Sequence, residues 1–256
     1  MAKMNFKKSV LSIALAMCFS PAFAAKVCDG KAPTPPGDLT ITKIKGGGKH
    51  IVGTEGDDVI VGTSKKDVIE GAGGNDTICS GKGDDVVNGG TGDDVIIGDK
   101  GNDEIAGDDG NDTLKGDSGS DHIDGGAGDD DVEGGDDYDI VLGSAGIDHL
   151  SGGAGDDAVT GGDDTDTVSG DDGDDLMYGD AGSDSVDGGS GDDDIHGGAG
   201  DDHVADTSGA NEVHGDDGTD VIDSHAGDHV EGGPGTDAVT SHEDSGDTVE
   251  EPDDGA

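Results

Sequence analysis

A nine-residue period dominates this chain. From Gly53 to Asp223 the sequence divides into nineteen consecutive nine-residue units without a gap, as in GTEGDDVIV (53–61) and GGAGDDAVT (152–160). Position 8 of the unit is aliphatic or Met in all nineteen, and position 6 is Asp in all but one, where Asn211 stands. An apolar residue held in phase through so many units indicates a fold of stacked repeats.

The composition alone is typical of disorder, because apolar residues make up only 29% and the formal net charge is −49. The constant phase of the apolar residue argues instead for a folded chain. Such an acidic surface repels nucleic acid and anionic lipid and attracts cations. We therefore expect no nucleic-acid partner.

The unit combines a turn with a short strand. Positions 7 to 9 read as a minimal strand whose central side chain points inward. Gly at positions 1 and 4 suits backbone angles with positive φ, and Asp or Asn at position 5 tolerates them. Two units then form one flattened coil of eighteen residues, and coils stack as parallel strands about 4.8 Å apart, giving roughly 45 Å of length. The predicted class is all-β, a parallel β-roll or two-sided β-solenoid.

These units resemble GGxGxDxUx, the repeat of the RTX (repeats-in-toxin) haemolysin-type calcium-binding proteins. The resemblance implies that position 6 supplies a carboxylate to Ca²⁺, that backbone carbonyls of the Gly-rich turn complete the shell, and that the next turn on the same side supplies the other half. Ca²⁺ takes 6–8 oxygens in a flexible shell, whereas Mg²⁺ demands compact octahedral geometry. Multiple calcium ions are thus the expected cofactor and partner.

Pairing each unit with the second one along allows at most 19 − 2 = 17 sites. Lys65, Asp137 and Asp164 replace the position-4 Gly, which puts the sites around Asp67, Asp139 and Asp166 in doubt, and the site at Asn211 lacks its carboxylate. The metal ligands carried over are Asp58, Asp76, Asp85, Asp94, Asp103, Asp112, Asp121, Asp130, Asp148, Asp157, Asp175, Asp184, Asp193, Asp202 and Asp220.

Residues 1–24 are typical of a secretion signal. Three lysines precede the apolar stretch Val10 to Phe19, and Ala22-Phe23-Ala24 forms a small-x-small cleavage site. The stretch is too short for a transmembrane helix, so we expect no membrane insertion. A buried core helix and a lipobox ending at Cys18 are the alternatives.

Residues 25–52 read as a linker with a possible N-terminal cap, in which Leu39 to Lys45 alternates apolar and polar residues as a strand does. After the regular repeats (53–223), residues 224–250 are degenerate repeats or a C-terminal cap, and 251–256 are a tail. The unit 224–231 has only eight residues, which places His229 where Asp is expected. Cys28 and Cys79 either form a bridge or remain free thiols.

His196 and His214 both occupy position 9, two units apart. Adjacent coils would place them about 5 Å apart on one face. Such a pair would bind Zn²⁺ or Ni²⁺, form a pH-sensitive patch, or simply be solvated.

No GxSxG, HExxH, Walker or EF-hand motif occurs, so we expect no catalysis. The leading hypothesis is a secreted, extracellular calcium-binding protein that folds on binding many Ca²⁺ ions and acts as a structural or interaction module, with retention in the periplasm or at the cell surface left open. An adhesin or ice-binding-like surface protein is one alternative, although position 3 carries Thr only at Thr91. A non-catalytic partner subunit of a secreted enzyme is the other. The protein or surface partner is not indicated.

Overall fold

The computed structural model describes residues 40–43, 46–241 and 248–250. The proposed signal (1–24), most of the linker and the tail (251–256) lie outside the described residues. Among the described residues, no helix has the length and apolar character needed to cross a bilayer.

The described chain contains twenty-four short strands. In chain order they are β1 (Thr40–Lys43), β2 (Lys49–Val52), β3 (Val59–Thr63), β4 (Val68–Gly73), β5 (Thr77–Lys82), β6 (Val86–Thr91), β7 (Val95–Lys100), β8 (Glu104–Asp109), β9 (Thr113–Ser118), β10 (His122–Ala127), β11 (Asp131–Asp136), β12 (Ile140–Ala145), β13 (His149–Ala154), β14 (Ala158–Asp163), β15 (Thr167–Asp172), β16 (Leu176–Ala181), β17 (Ser185–Ser190), β18 (Asp194–Ala199), β19 (His203–Ala205), β20 (Glu212–Asp217), β21 (Val221–Ser224), β22 (His229–Glu231), β23 (Ala238–Ser241) and β24 (Thr248–Glu250).

The strands alternate between two sheets, which confirms the predicted parallel β-roll. The even-numbered strands and β1 form a thirteen-stranded sheet, and the odd-numbered strands from β3 form an eleven-stranded sheet. Ile60 pairs with Ile78 in parallel register, and Ile123 pairs with Val141, so each coil contains eighteen residues. The whole solenoid has about eleven turns.

A single column of apolar side chains fills the space between the sheets. It runs from Ile51 to Val230, one residue from each strand, and every member is at most 2% exposed. In the regular repeats these residues are the position-8 side chains, which face inward because the strand alternates and its two neighbours point outward. The column confirms the role assigned to position 8.

The strands are longer than the sequence indicates. In the regular repeats they run from position 7 through position 3 of the following unit, as in β10, because positions 2 and 3 also pair with the adjacent coil. Position 1 is skipped in this pairing: Asp124 pairs with Leu142 and Gly126 with Ser144, but Gly125 has no register partner. The pairing between neighbouring strands is therefore interrupted at position 1.

The N-terminal strand was predicted over Leu39 to Lys45 and is present as β1. It pairs antiparallel with β2, with Ile41 opposite Ile51, and so forms the first edge of the thirteen-stranded sheet. At the other end, β22, β23 and β24 continue both sheets in parallel register. The degenerate repeats are thus still coils of the same roll.

Candidate metal centre

The position-6 Asp side chains form two continuous ladders, one at each turn of the coil. On one side the N–H of Asp94 donates to Oδ1 of Asp112 at 2.7 Å. On the other the N–H of Asp139 donates to Oδ1 of Asp157 at 2.7 Å. Each donor and acceptor lie eighteen residues apart. The ladders therefore bring together residues that are one coil apart, as the repeat spacing predicts.

The second carboxylate oxygen of these residues is buried and has no hydrogen-bond partner. Sixteen position-6 residues share this property: Asp76, Asp85, Asp94, Asp103, Asp112, Asp121, Asp130, Asp139, Asp148, Asp157, Asp166, Asp175, Asp184, Asp193, Asp202 and Asp220. A buried polar atom without a partner is costly, and a carboxylate most of all. Such a row of buried carboxylates needs a positive charge to neutralise it.

Glycine stands at position 1 in all but one of these units and lets the adjacent coil approach closely. A Cβ at Gly161 would lie 2.7 Å from Asp166 Oδ2 and 2.7 Å from the carbonyl oxygen of Gly179. At Gly152 the corresponding distances are 2.7 Å to Asp157 Oδ2 and 2.9 Å to the Gly170 carbonyl. The missing Cβ therefore lets a carboxylate oxygen and a carbonyl oxygen come close together, and both are ligand types that Ca²⁺ takes.

Burial raises the pKa of these carboxyl groups. The pKa of Asp103 rises to about 7, chiefly through desolvation and also through the carboxylates of Asp121 and Asp85, against a hydrogen bond from the Asp85 N–H. The pKa of Asp157 rises to about 6, again mainly by burial. In the absence of a cation, the raised pKa therefore favours the protonated form of these carboxyl groups.

The glycines follow the prediction at position 4 and depart from it at position 1. Position 4 has positive φ in most units, as in Gly128 (131°), whereas position 1 does not. Positive φ also occurs at position 2, as in Asp108 (74°) and Gly126 (109°). Gly is needed at position 1 because a Cβ would collide with the adjacent carboxylate and carbonyl. Position 5 is likewise absent from the positive-φ residues, so the expectation for Asp and Asn there was wrong.

Two of the doubtful sites have the same geometry as the regular ones. Asp137 and Asp164 take the place of Gly at position 4 and adopt its positive φ, at 77° each. Asp tolerates this region better than most residues. Accordingly Asp139 and Asp166 are buried, remain in the ladders and keep a buried Oδ2 without a hydrogen-bond partner.

The first two units differ, and Thr at position 2 explains why. Thr54 and Thr63 do not have positive φ, which is strongly disfavoured for a β-branched residue. The N–H of Thr54 donates to Asp58 Oδ2 at 2.6 Å, and that of Thr63 donates to Asp67 Oδ2 at 2.5 Å. These amides take up the oxygen that is unpartnered elsewhere. Asp67, whose site was in doubt because Lys65 replaces Gly at position 4, departs from the regular geometry through Thr63, and Asp58 departs in the same way through Thr54.

Asn211 interrupts one ladder chemically without breaking it. Its Oδ1 accepts the N–H of Asp193 at 2.6 Å, as an Asp would. Its Nδ2, however, donates to Asp228 Oδ1 at 3.3 Å. The side-chain amide nitrogen of Asn211 thus occupies the position from which the second carboxylate oxygen of an Asp would face a cation. The buried Asp206, at position 1 of the same unit, supplies a carboxylate that the sequence analysis did not consider.

The expected position of the ladder residue in the eight-residue unit was wrong. Asp228, and not His229, continues the ladder, since its Oδ1 accepts the N–H of Asn211 at 3.1 Å. His229 pairs with Glu212 as a position-7 residue does. The strand keeps its register with the adjacent coil, so the position that this eight-residue unit lacks lies in the turn. Asp237 extends the other ladder in the same way.

Ser80 alters one further site that the sequence analysis kept as regular. It replaces Gly at position 1, is fully buried, and its Oγ donates to the carbonyl oxygen of Gly98 at 2.7 Å. The hydroxyl therefore lies beside Asp85, where the units with Gly at position 1 have no side chain.

His196 and His214 are adjacent, as predicted. They are register partners on β18 and β20, and their rings stack with centroids 4.5 Å apart. Cys79 is disulfide-bonded, while Cys28, its expected partner, lies outside the described residues.

Comparison with known proteins places these repeats in context. The sequence matches the RTX calcium-binding nonapeptide repeat at residues 52–87, 81–114, 106–141, 142–177, 169–204, 196–228 and 206–239. A search of curated proteins gave no match. A solved structure of a hyperactive, Ca²⁺-dependent, β-helical antifreeze protein from an Antarctic bacterium is similar, at 20% identity and a TM-score of 0.45, covering 84% of this chain and 85% of that one.

Proposed function

The chain belongs to the RTX calcium-binding nonapeptide repeat family, and on that premise we propose that it is an extracellular protein whose folding and calcium binding are one event. The folded roll would serve as a structural or interaction module without catalysis.

The observation that carries this proposal is the row of buried carboxylate oxygens that lack a hydrogen-bond partner. Each belongs to a side chain already fixed through its other oxygen, so the row is in place along both turns. Carboxylate oxygens that the fold already holds in place favour metal binding, because little ordering remains to be done.

We propose that calcium is held by the position-6 Asp residues of the row other than Asp85, acting through Oδ2, together with position-1 carbonyls such as those of Gly170 and Gly179. Asp85 is a weaker candidate, because the Ser80 hydroxyl lies beside it. Compared with the set carried over from the repeat, Asp139 and Asp166 join it. Asp58 becomes a weaker candidate, because the N–H and hydroxyl of Thr54 occupy its Oδ2.

Calcium would supply the positive charge that this chain lacks. The net charge is −49, and no Lys or Arg follows Lys115. In the ladders, like charges repeat every coil, and neighbouring carboxylates raise the pKa of Asp130 to about 7 in addition to the effect of burial. Neutralising them removes this repulsion, and a cation at ten times its Kd stabilises the fold by about 1.4 kcal/mol per site.

Secretion is the remaining part of the proposal. It rests on residues 1–24, which have the charged, apolar and small-residue pattern of a signal. Calcium at the millimolar level found outside cells would then drive folding after export. Fractionation of producing cells tests this: protein confined to the cytoplasm would contradict it.

A calcium titration tests the folding proposal. The chain lacking residues 1–24 is dialysed against EGTA and titrated with Ca²⁺, and separately with Mg²⁺, while far-UV circular dichroism is recorded. We expect a disordered spectrum in EGTA, a cooperative gain of β-structure with Ca²⁺, and little response to equal Mg²⁺. A spectrum that is indifferent to Ca²⁺ overturns the proposal.

A further inference from the structure

A compact group of histidines and carboxylates lies on the outer face of the thirteen-stranded sheet. His196 and His214 are outward position-9 residues of β18 and β20, and Asp194 and Glu212 are the position-7 residues of the same strands. The pattern acid-x-His therefore repeats on two adjacent strands. It faces away from the interior, and position-9 side chains are separate from the ladders at the turns.

The surroundings of His196 fix which nitrogen faces the group. Its Nδ1 lies 3.0 Å from Oδ2 of Asp216, and its Nε2 lies 3.3 Å from Oδ1 of Asp194. If Nδ1–H donates to Asp216, Nε2 carries the lone pair and faces Asp194. A carboxylate that orients a histidine in this way is the usual outer partner of a metal ligand.

His214 repeats this arrangement one coil further on. Its Nδ1 lies 3.5 Å from Oε2 of Glu231, and its Nε2 lies 3.8 Å from Oε1 of Glu212. Each Nε2 lies beside the position-7 carboxylate of its own strand, so both Nε2 atoms face the position-7 side, and the two rings are nearly parallel, with 7° between their planes. Tyr178 stacks on the far side of His196 at 4.8 Å and limits the movement of the rings in that direction.

We propose that His196, His214 and Asp194, with Glu212 as fourth ligand, bind one divalent transition-metal ion. Ligand atoms of the first three lie within 4.8 Å of one another. Zn²⁺ takes four N and O ligands tetrahedrally at about 2.0–2.2 Å, so the stacked imidazoles would tilt out of their parallel arrangement to point both Nε2 lone pairs at one ion. Asp216 and Glu231 are positioning residues that hold the imidazoles.

The chemistry of this group separates it from the calcium ladders. Imidazole nitrogens suit Zn²⁺, Cu²⁺ and Ni²⁺, whereas Ca²⁺ takes oxygen ligands. The half-buried rings, 24% and 17% exposed at the side chain, lose little freedom on binding because stacking already orders them. No lysine competes for the carboxylates, since the last one is Lys115.

The group forms only when β18 and β20 are adjacent, so this inference rests on the calcium-folded roll. The test is therefore made on calcium-loaded protein in a large excess of Ca²⁺, which saturates oxygen-only sites. Zn²⁺ is titrated by isothermal calorimetry at neutral pH, with circular dichroism recorded on the same samples. Loss of the roll spectrum would mark failure of the folding proposal, whereas an intact roll without a Zn²⁺ site would mark failure of this one.

We expect one Zn²⁺ per chain to bind more tightly than the weak background of the acidic surface. His196→Ala and His214→Ala should each weaken this binding at least tenfold, and His122→Ala, an exposed position-7 histidine on the same sheet, should not. Should an alanine variant lose the roll, His196→Gln and His214→Gln replace it. Cu²⁺-loaded protein should show nitrogen hyperfine coupling that His196→Ala reduces. Equal Zn²⁺ affinity in the wild type and both histidine variants overturns the proposal.

Discussion

The backbone N–H of Asp157 donates to Oδ1 of Asp175, one coil further along, at 2.7 Å, so one oxygen of each ladder Asp links adjacent coils. The other oxygen, Oδ2, is buried and is without a hydrogen-bond partner in the described structure. If Oδ2 binds a cation as proposed, the same side chain couples coil stacking to cation binding.

Asp157→Asn separates these two roles, because the amide keeps an oxygen for the ladder but loses the charge. We expect weaker calcium binding at this coil and a loss of about 1.4 kcal/mol of stability for each site lost at ten times the Kd. The measurement is the calcium midpoint and the thermal midpoint of the calcium-loaded protein. Asp156→Asn removes the same charge from an exposed neighbour and should change both little. Equal effects of the two substitutions would show that only net charge matters.

Gly152→Ala fills the space beside Asp157 with a methyl group. The added Cβ would lie 2.7 Å from Asp157 Oδ2 and 2.9 Å from the Gly170 carbonyl, so the coils must shift and these two oxygens must move apart. We expect a loss of about 1–3 kcal/mol, as for overpacked interiors, together with a lower calcium stoichiometry. Gly56→Ala, where nothing lies within 4 Å, is the control. Unchanged stoichiometry in Gly152→Ala would place the ion elsewhere.

Asn211→Asp should repair the interrupted ladder. Its amide now donates to Asp228, and a carboxylate there would face Asp228 and Asp193 instead. We expect lower stability at limiting calcium through repulsion, and an additional calcium contribution of about 1.4 kcal/mol at ten times the Kd. Thermal midpoints at the lowest calcium concentration that keeps the roll folded and at saturating calcium measure both. Asn102→Asp makes the same charge change at an exposed position and should show neither effect. A midpoint that falls equally in both conditions would contradict the repair.

The stability of the calcium-free roll should fall as pH rises. The pKa of Asp103, Asp130 and Asp175 is raised to about 7 in the fold, chiefly by burial, from 3.8. The folded state then holds more protons than the unfolded one, so this contribution is complete below the unfolded pKa and is lost as pH rises through the folded values. Calcium-stripped protein should show more β-structure at about pH 4.5 than at about pH 7.5, while calcium affinity should rise over the same range. A calcium-free spectrum that does not change with pH would refute this.

The period of the sequence is sufficient to predict the coil, the core and the ladders, because the side chain at position 8 can face inward only if coils of eighteen residues stack in register. The roles of the turn residues are not evident from composition. Gly at position 1 avoids a collision, whereas Gly at position 2 adopts positive φ. The sequence shows the same residue type at both positions and so does not distinguish these roles. Thr54 at position 2 is a feature of the sequence from which the different hydrogen bonding of Asp58 could have been predicted.

Other features depend on contacts between coils. The eight-residue unit does not reveal which residue is missing, and only the pairing of His229 with Glu212 shows that Asp228 takes the ladder position. The carboxylates around His196 likewise come from different coils. The nine-residue period alone does not predict that these carboxylates contact the histidine, although positions 7 and 9 lie on the same face of the strand.

Because successive coils are joined only to their neighbours, their hydrogen bonds run along the axis of the roll. Tension applied to the two ends of the repeat region would load these bonds one row at a time and peel the coils off in sequence. Each coil releases eighteen residues, about 60 Å of extended chain, in exchange for about 4.8 Å of roll. On the proposed calcium-coupled folding, we expect such a roll to lengthen greatly at modest force and to recoil on release, with the calcium concentration setting the force at which it unfolds.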